Sequence, residues 1–189
     1  MKKSFFKRFT TLLSTLVTAI ALLTVFTFST VSAENANVLV RTHVQNIGTS
    51  NYDVSNGNVA GTTGRALRLE KIFLCLTGCS GNIWISTHQA NKGWSSYSFA
   101  RAGRYCGSGT TNESRAIEAV KIDLSGEAAQ KYDVWYRVHV QGYGWLGLAK
   151  NNEIAGTTGQ SRRAEAIQVM VFKKGTSSSY VKQWFDARL

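Results

Sequence analysis

Three histidines and three glutamates recur at matched places in this chain. His43, His88 and His139 each close a short apolar or aromatic alternation and are followed five residues later by Gly48, Gly93 and Gly144. Glu70, Glu118 and Glu165 each open a later apolar alternation. A histidine and a carboxylate in one repeat can exchange protons, ligate a metal or form a polar clasp. Hydrolysis by paired carboxylates needs two groups in unlike environments across one bond, whereas repeated glutamates sit in equivalent environments by construction. Asp53, Asp123, Asp133 and Glu153 recur at no unit position that completes a pair. No serine or cysteine stands in a nucleophile motif, so no catalytic residue and no cofactor are expected. A metal shared by the three histidines is disfavoured, because bulky Trp84 and Trp135 occupy the histidine face.

The glutamates share the parity of the inward apolar residues that follow them. A buried carboxylate must be paired, since even an unsatisfied neutral polar group costs about 1–3 kcal/mol. The favoured reading is therefore a buried clasp made three times, with His43, Arg68 and Arg163 among the natural partners of Glu70, Glu118 and Glu165. Direct ligand contact, with His88 and His139 among the contact residues, is the second reading.

A further set has binding chemistry. Trp94 and Trp145 each follow a glycine where the chain leaves its first strand. An indole there can plug the core, since it carries large apolar area, or it can form a platform on which the apolar face of a pyranose stacks. Gln141, Asn151 and Asn152 could supply amides for sugar hydroxyls in the third repeat, and Asn91 with Ser95 in the second. Thr49 stands at the tryptophan's place in the first, which leaves that unit without a platform.

These residues must be held by strands. Val134, Tyr136, Val138 and Val140 alternate with Trp135, Arg137, His139 and Gln141, a period of two. The first and second repeats give the same pattern over residues 38–45 and 83–88, and inward closing strands carry Ile72 and Leu74, Val120 and Ile122, and Ile167 and Val169. Gly- and Asn-rich turns separate them. Glu127 to Lys131 allows one helical turn. The class is all-β, with three repeats over about 38–76, 83–124 and 134–172. Each unit is too small to bury its own apolar faces, so the copies should share one core. Closure around a pseudo-threefold axis as a β-prism, or alternatively a β-trefoil, would hide the sheet edges.

Residues 1–33 read as an export signal: Lys2, Lys3, Lys7 and Arg8, then an uncharged stretch, then Val31-Ser32-Ala33. An uncleaved anchor is the alternative. Cleavage gives a secreted domain of residues 34–175 with a tail of 176–189, free of the membrane and extracellular or held at the cell surface. Of 22 Lys and Arg, the four in the leader go, leaving 18 against 11 Asp and Glu, a net charge of +7. Such a surface suits polyanions, such as wall teichoic acids or acidic glycans. The basic residues are scattered and accompany no nucleic-acid motif, which disfavours nucleic acid as a partner. Cys75, Cys79 and Cys106 permit one disulfide, with Cys75–Cys79 preferred over Cys79–Cys106. Cys106 falls at the place of Ala60 and Ala155, and Gly107-Ser108 at that of Gly61-Thr62 and Gly156-Thr157.

At these residues the chain resembles the clostridial hydrophobic repeat family (ChW repeats), whose unit has a strand ending in His-Val-Gln, a Gly-Trp pair, a Gly-Thr-x-Gly turn and an Arg-x-Glu-led strand. The third copy carries His139-Val140-Gln141, Gly144-Trp145, Gly156-Thr157-Thr158-Gly159 and Arg163-Ala164-Glu165. The first keeps His43-Val44-Gln45, Gly61-Thr62-Thr63-Gly64 and Arg68-Leu69-Glu70. The second keeps Gly93-Trp94 but has His88-Gln89-Ala90 and a displaced Arg115. The resemblance implies a secreted or surface-attached, non-catalytic module that mediates attachment to polysaccharide or to a surface protein.

Overall fold

The computed structural model describes residues 36–189; the expected export signal lies outside them. Among the described residues no helix is long and apolar enough to cross a membrane. The first unit comprises β1 (Asn37–Val44), β2 (Gly48–Thr49), β3 (Ala60–Gly61) and β4 (Leu69–Thr77). The second comprises β5 (Asn82–Gln89), β6 (Gly93–Trp94), β7 (Ser98–Arg101), β8 (Tyr105–Gly109) and β9 (Ile117–Ser125). A single helical turn, α1 (Glu127–Lys131), leads into the third: β10 (Tyr132–Val140), β11 (Gly144–Trp145), β12 (Ala149–Lys150), β13 (Ala155–Gly156) and β14 (Ala164–Lys173). The chain then forms α2 (Ser178–Asp186).

The fold is all-β, in three antiparallel sheets. Each is built on one unit's long pair, β1 with β4, β5 with β9, or β10 with β14, where the period-two patterns fall to within two residues. Each sheet also takes a short strand from another unit. The first receives β8 from the second unit, the second receives β13 from the third, and the third receives β3 from the first. This cyclic lending closes the three units on one another and pairs edges that a lone hairpin would expose. The inward residues of all three, including Val40, Val44, Ile72, Leu74, Val120, Ile122, Val138, Ile167 and Val169, join one apolar core, as their common parity requires.

Two sequence readings are corrected by strand register. Ala60 faces Ile167 and Ala155 faces Val120, but the equivalent residue, opposite Ile72, is Ser108 and not Cys106. The turn that matches Gly61-Thr62 and Gly156-Thr157 is accordingly Gly109-Thr110. The second unit thus keeps Gly-Thr-Thr, displaced by two residues from the Gly107-Ser108 alignment. The physical reason is a close approach: a Cβ on Gly61, Gly109 or Gly156 would lie 2.6, 2.2 or 2.3 Å from the carbonyl oxygen of Glu165, Glu70 or Glu118. All three glycines have φ between +107° and +116°. Only glycine fits there.

The expected Cys75–Cys79 disulfide is absent, and all three cysteines are buried thiols. Alternation along β4 turns Cys75 to the outer face, while Cys79 and Cys106 belong to the inner core. The segment set apart as a tail, 176–189, is largely α2. Its Val181 and Phe185, four residues apart and fully buried, pack with Trp135 and Phe172 on the outer face of the third sheet. Burial of two such side chains contributes about 1.5–3 kcal/mol each. Ser177 caps the helix by accepting the N–H of Tyr180 at 3.3 Å.

Candidate functional site

Each sheet carries a β-bulge at the same place. Val44 faces Leu69 and His43 faces Lys71, so Glu70 is the extra residue. Glu118 is likewise skipped between Gln89–Ile117 and His88–Ala119, and Glu165 between Val140–Ala164 and His139–Ala166. The bulge breaks the parity on which the glutamates were expected to face inward, and brings each carboxylate to the histidine of the outer face. Glu118 Oε2 lies 2.9 Å from His88 Nδ1, Glu165 Oε2 lies 3.1 Å from His139 Nδ1 at an angle too bent for a hydrogen bond, and Glu70 Oε2 lies 3.4 Å from His43 Nε2. Arg68 Nε donates to Glu70 Oε1 at 2.8 Å and Arg163 Nε to Glu165 Oε1 at 2.9 Å.

The same glutamates join the units. The main-chain carbonyl of Glu70 accepts the N–H of Thr110 at 2.9 Å, that of Glu118 the N–H of Thr157 at 3.0 Å, and that of Glu165 the N–H of Thr62 at 2.9 Å. The side chain clasps its own unit and the carbonyl holds the lent strand. In the second unit Ala116 stands where Arg68 and Arg163 stand in the others. Arg115 pairs instead with Glu113 at 2.7 Å and with the carbonyl of Ala90 at 3.2 Å.

Next to each clasp lies the position after the glycine. Trp94 meets His88 edge-on with ring centroids 5.4 Å apart, and Trp145 meets His139 in the same way at 5.5 Å. Neither indole belongs to the apolar core. Trp94 is 36 % exposed and has Lys121 Nζ 4.7 Å from its ring centre. Trp145 is half-buried under the Arg137 guanidinium, 5.2 Å from its ring centre. Arg137 also reaches Asp186 of α2 at 2.8 Å, so the helix partly covers this face. In the first unit Thr49 replaces the indole, and its hydroxyl lies 2.8 Å from His43 Nδ1. This accounts for the His43 ring presenting Nε2, not Nδ1, to its glutamate.

Of the amides expected beside Trp145, Asn151 and Asn152 lie elsewhere. Asn151 accepts the N–H of Val134 at 2.9 Å and donates to Asp133 at 2.7 Å, a structural tie. Val134 is five residues from His139 on β10, about 17 Å at ~3.4 Å per residue. Asn152 accepts the Tyr97 hydroxyl across the seam between the second and third units. Gln141 receives Arg162 at its main-chain oxygen, 3.0 Å away, beside the third clasp. Ser95 spends its hydroxyl on Ser108 at 2.8 Å and on the N–H of Thr87 at 3.2 Å. Among the described residues no group of three His, Cys, Asp or Glu could hold a metal.

Sequence reasoning missed Tyr97 and Phe99. Phe99 is exposed and stacks on Trp84 with ring centroids 4.5 Å apart and an interplanar angle of 24°. The signal was the second unit's longer strand β7, whose counterpart in the first is the single bridge between Val40 and Val54.

Two segments, residues 43–78 and 139–172, match the family described as Clostridial hydrophobic W. Each begins at a repeat histidine and runs through its bulge glutamate. The match takes in the first and third units; the expected third copy, in the second unit, is not among the matched segments. No curated protein and no solved structure matches the chain.

Proposed function

We propose that this chain is a non-catalytic binding module that acts outside the cell and attaches to polysaccharide through the Gly-Trp positions of its second and third units. On this reading the second unit is a diverged third copy of the same repeat, and the first is mainly structural. The observation that carries the reading is the placement of Trp94 and Trp145: outside the core, fixed edge-on by a clasped histidine, at the sheet surface. An aromatic ring so held loses little freedom when a sugar stacks on it. The His–Glu pairing supports binding by rigidity instead of chemistry: Glu118 Oε2 lies against His88, and Glu165 is held between His139 and Arg163. The net positive charge adds long-range attraction to anionic wall polymers.

The test is saturable binding of the purified protein to isolated wall polysaccharide, competed by free oligosaccharide. An interaction that survives complete deglycosylation of the target would instead make the same surface a protein-docking one.

A further inference from the structure

The outer face of the second sheet is open where that of the third is covered by α2. Along β5 the residues of this face are Trp84, Ser86 and His88, with Ser86 buried beneath Ser95, so its two ends are about 14 Å apart at ~3.4 Å per residue. Trp94 packs on His88 at one end, Phe99 stacks on Trp84 at the other, and Lys121 lies between, opposite Ser86. Beside Trp84 is a cavity of about 290 Å³, lined by Trp84, Tyr97, Asp123, Leu124, Ser125 and Asn152.

The polar groups of this cavity have hydrogen-bonding capacity to spare. Asp123 Oδ1 accepts the N–H of Leu124 at 2.8 Å, which leaves Oδ2 as an acceptor. Ser125 Oγ accepts from Asn82 at 2.9 Å and from the Trp84 indole at 2.8 Å, so its proton remains to be donated. Asn152 accepts the Tyr97 hydroxyl at Oδ1, which leaves its amide hydrogens. An aromatic wall with one acceptor and two donors complements a pyranose, with its apolar face and neighbouring hydroxyls. The Asp123 carboxylate repels phosphate and uronate.

We infer that this cavity is the anchoring subsite for a neutral polysaccharide, whose chain continues along the second sheet to Trp94. The inference rests on the glycan-binding reading and narrows it: the ligand is a neutral glycan held mainly by the second unit, and the basic charge serves approach to the wall. The face is long enough for an oligosaccharide and not only one sugar.

Titration calorimetry of the purified protein with hexasaccharides of β-1,4-linked glucose and of β-1,4-linked N-acetylglucosamine, and with polyglycerol phosphate, tests it. At least one neutral hexasaccharide should bind, and Asp123→Ala and Asn152→Gly, the latter compatible with the positive φ of Asn152, should each weaken it about tenfold. Unchanged thermal unfolding shows that each variant folds. Unchanged affinity in both folded variants, binding of polyglycerol phosphate alone, or no binding of any probe would overturn the inference. Binding to whole wall polysaccharide that persists in both variants overturns the subsite alone, and absence of binding to whole wall polysaccharide overturns the glycan-binding reading itself.

Discussion

Gly109 lies so close to Glu70 that a Cβ on it would sit 2.2 Å from the Glu70 carbonyl oxygen. That carbonyl accepts the next N–H of the lent strand, from Thr110, at 2.9 Å. The seam between the first and second units therefore needs a glycine at 109 and tolerates change two residues earlier. Gly109→Ala should cost about 1–3 kcal/mol through strain at positive φ and collision with backbone. Gly107→Ala should cost less, because its Cβ would meet the Phe73 ring, a side chain able to swing, at 2.8 Å. Urea midpoints of the two variants decide; the reverse order would contradict the register.

The three clasps are unequal, and their unfolding energies should follow. Glu165→Gln weakens contacts with both Arg163 and His139 and should cost about 2 kcal/mol. Glu118→Gln, with Ala116 where the arginine would be, should cost roughly half as much. Equal losses in denaturant titrations would show that the arginine fork contributes nothing.

Much of this arrangement was legible in the sequence. Period-two patterns placed the long strands and the shared core, because inward residues such as Val40, Ile122 and Val169 obey strict alternation. The bulge was not legible, since one extra residue per unit leaves the composition of a strand unchanged while moving Glu70, Glu118 and Glu165 to the other face. The lent strands, two residues in β3 and β13 and five in β8, are too short to carry a periodicity; only their Gly-Thr-Thr spacing to the glutamate, nine residues in each unit, could have aligned Gly109 correctly. The helix α2 hid behind a serine-rich start, although Ser177 ahead of Val181 and Phe185 has the form of a cap followed by an i, i+4 apolar pair. Asn151 and Asn152 were grouped with Trp145 by sequence proximity, which the turn after β12 breaks.

The thiols should be silent in the folded protein. Burial pushes the Cys106 thiol up to about 11 and raises Cys75 as well. At pH 8 an aromatic disulfide reagent should therefore label the native protein very slowly and label all three cysteines in denaturant. Fast labelling of Cys106 without unfolding would contradict its place in the core.

At high pH the seam between the first and second units should weaken. Burial, and then the hydrogen bond its hydroxyl donates to Asp53, push Tyr105 up to about 12. A phenol whose folded value is raised supports the fold below its ordinary value near 10 and withdraws that support as pH rises through about 12. Stability should fall across this window in the parent chain and fall less in Tyr105→Phe, followed by circular dichroism against pH. An identical decline in both would remove Tyr105 from the account.

The most direct measurement is the affinity of the purified protein and of its Trp94→Ala, Trp145→Ala and Thr49→Ala variants for isolated wall polysaccharide, with circular dichroism confirming each fold. Trp94→Ala should lose about 1–3 kcal/mol of binding, by analogy with stacking on aromatic platforms. Trp145→Ala, half-covered beneath Arg137, should lose less, and Thr49→Ala should bind like the parent. Folded tryptophan variants that bind with undiminished affinity would contradict the proposal that these indoles are the ligand surface.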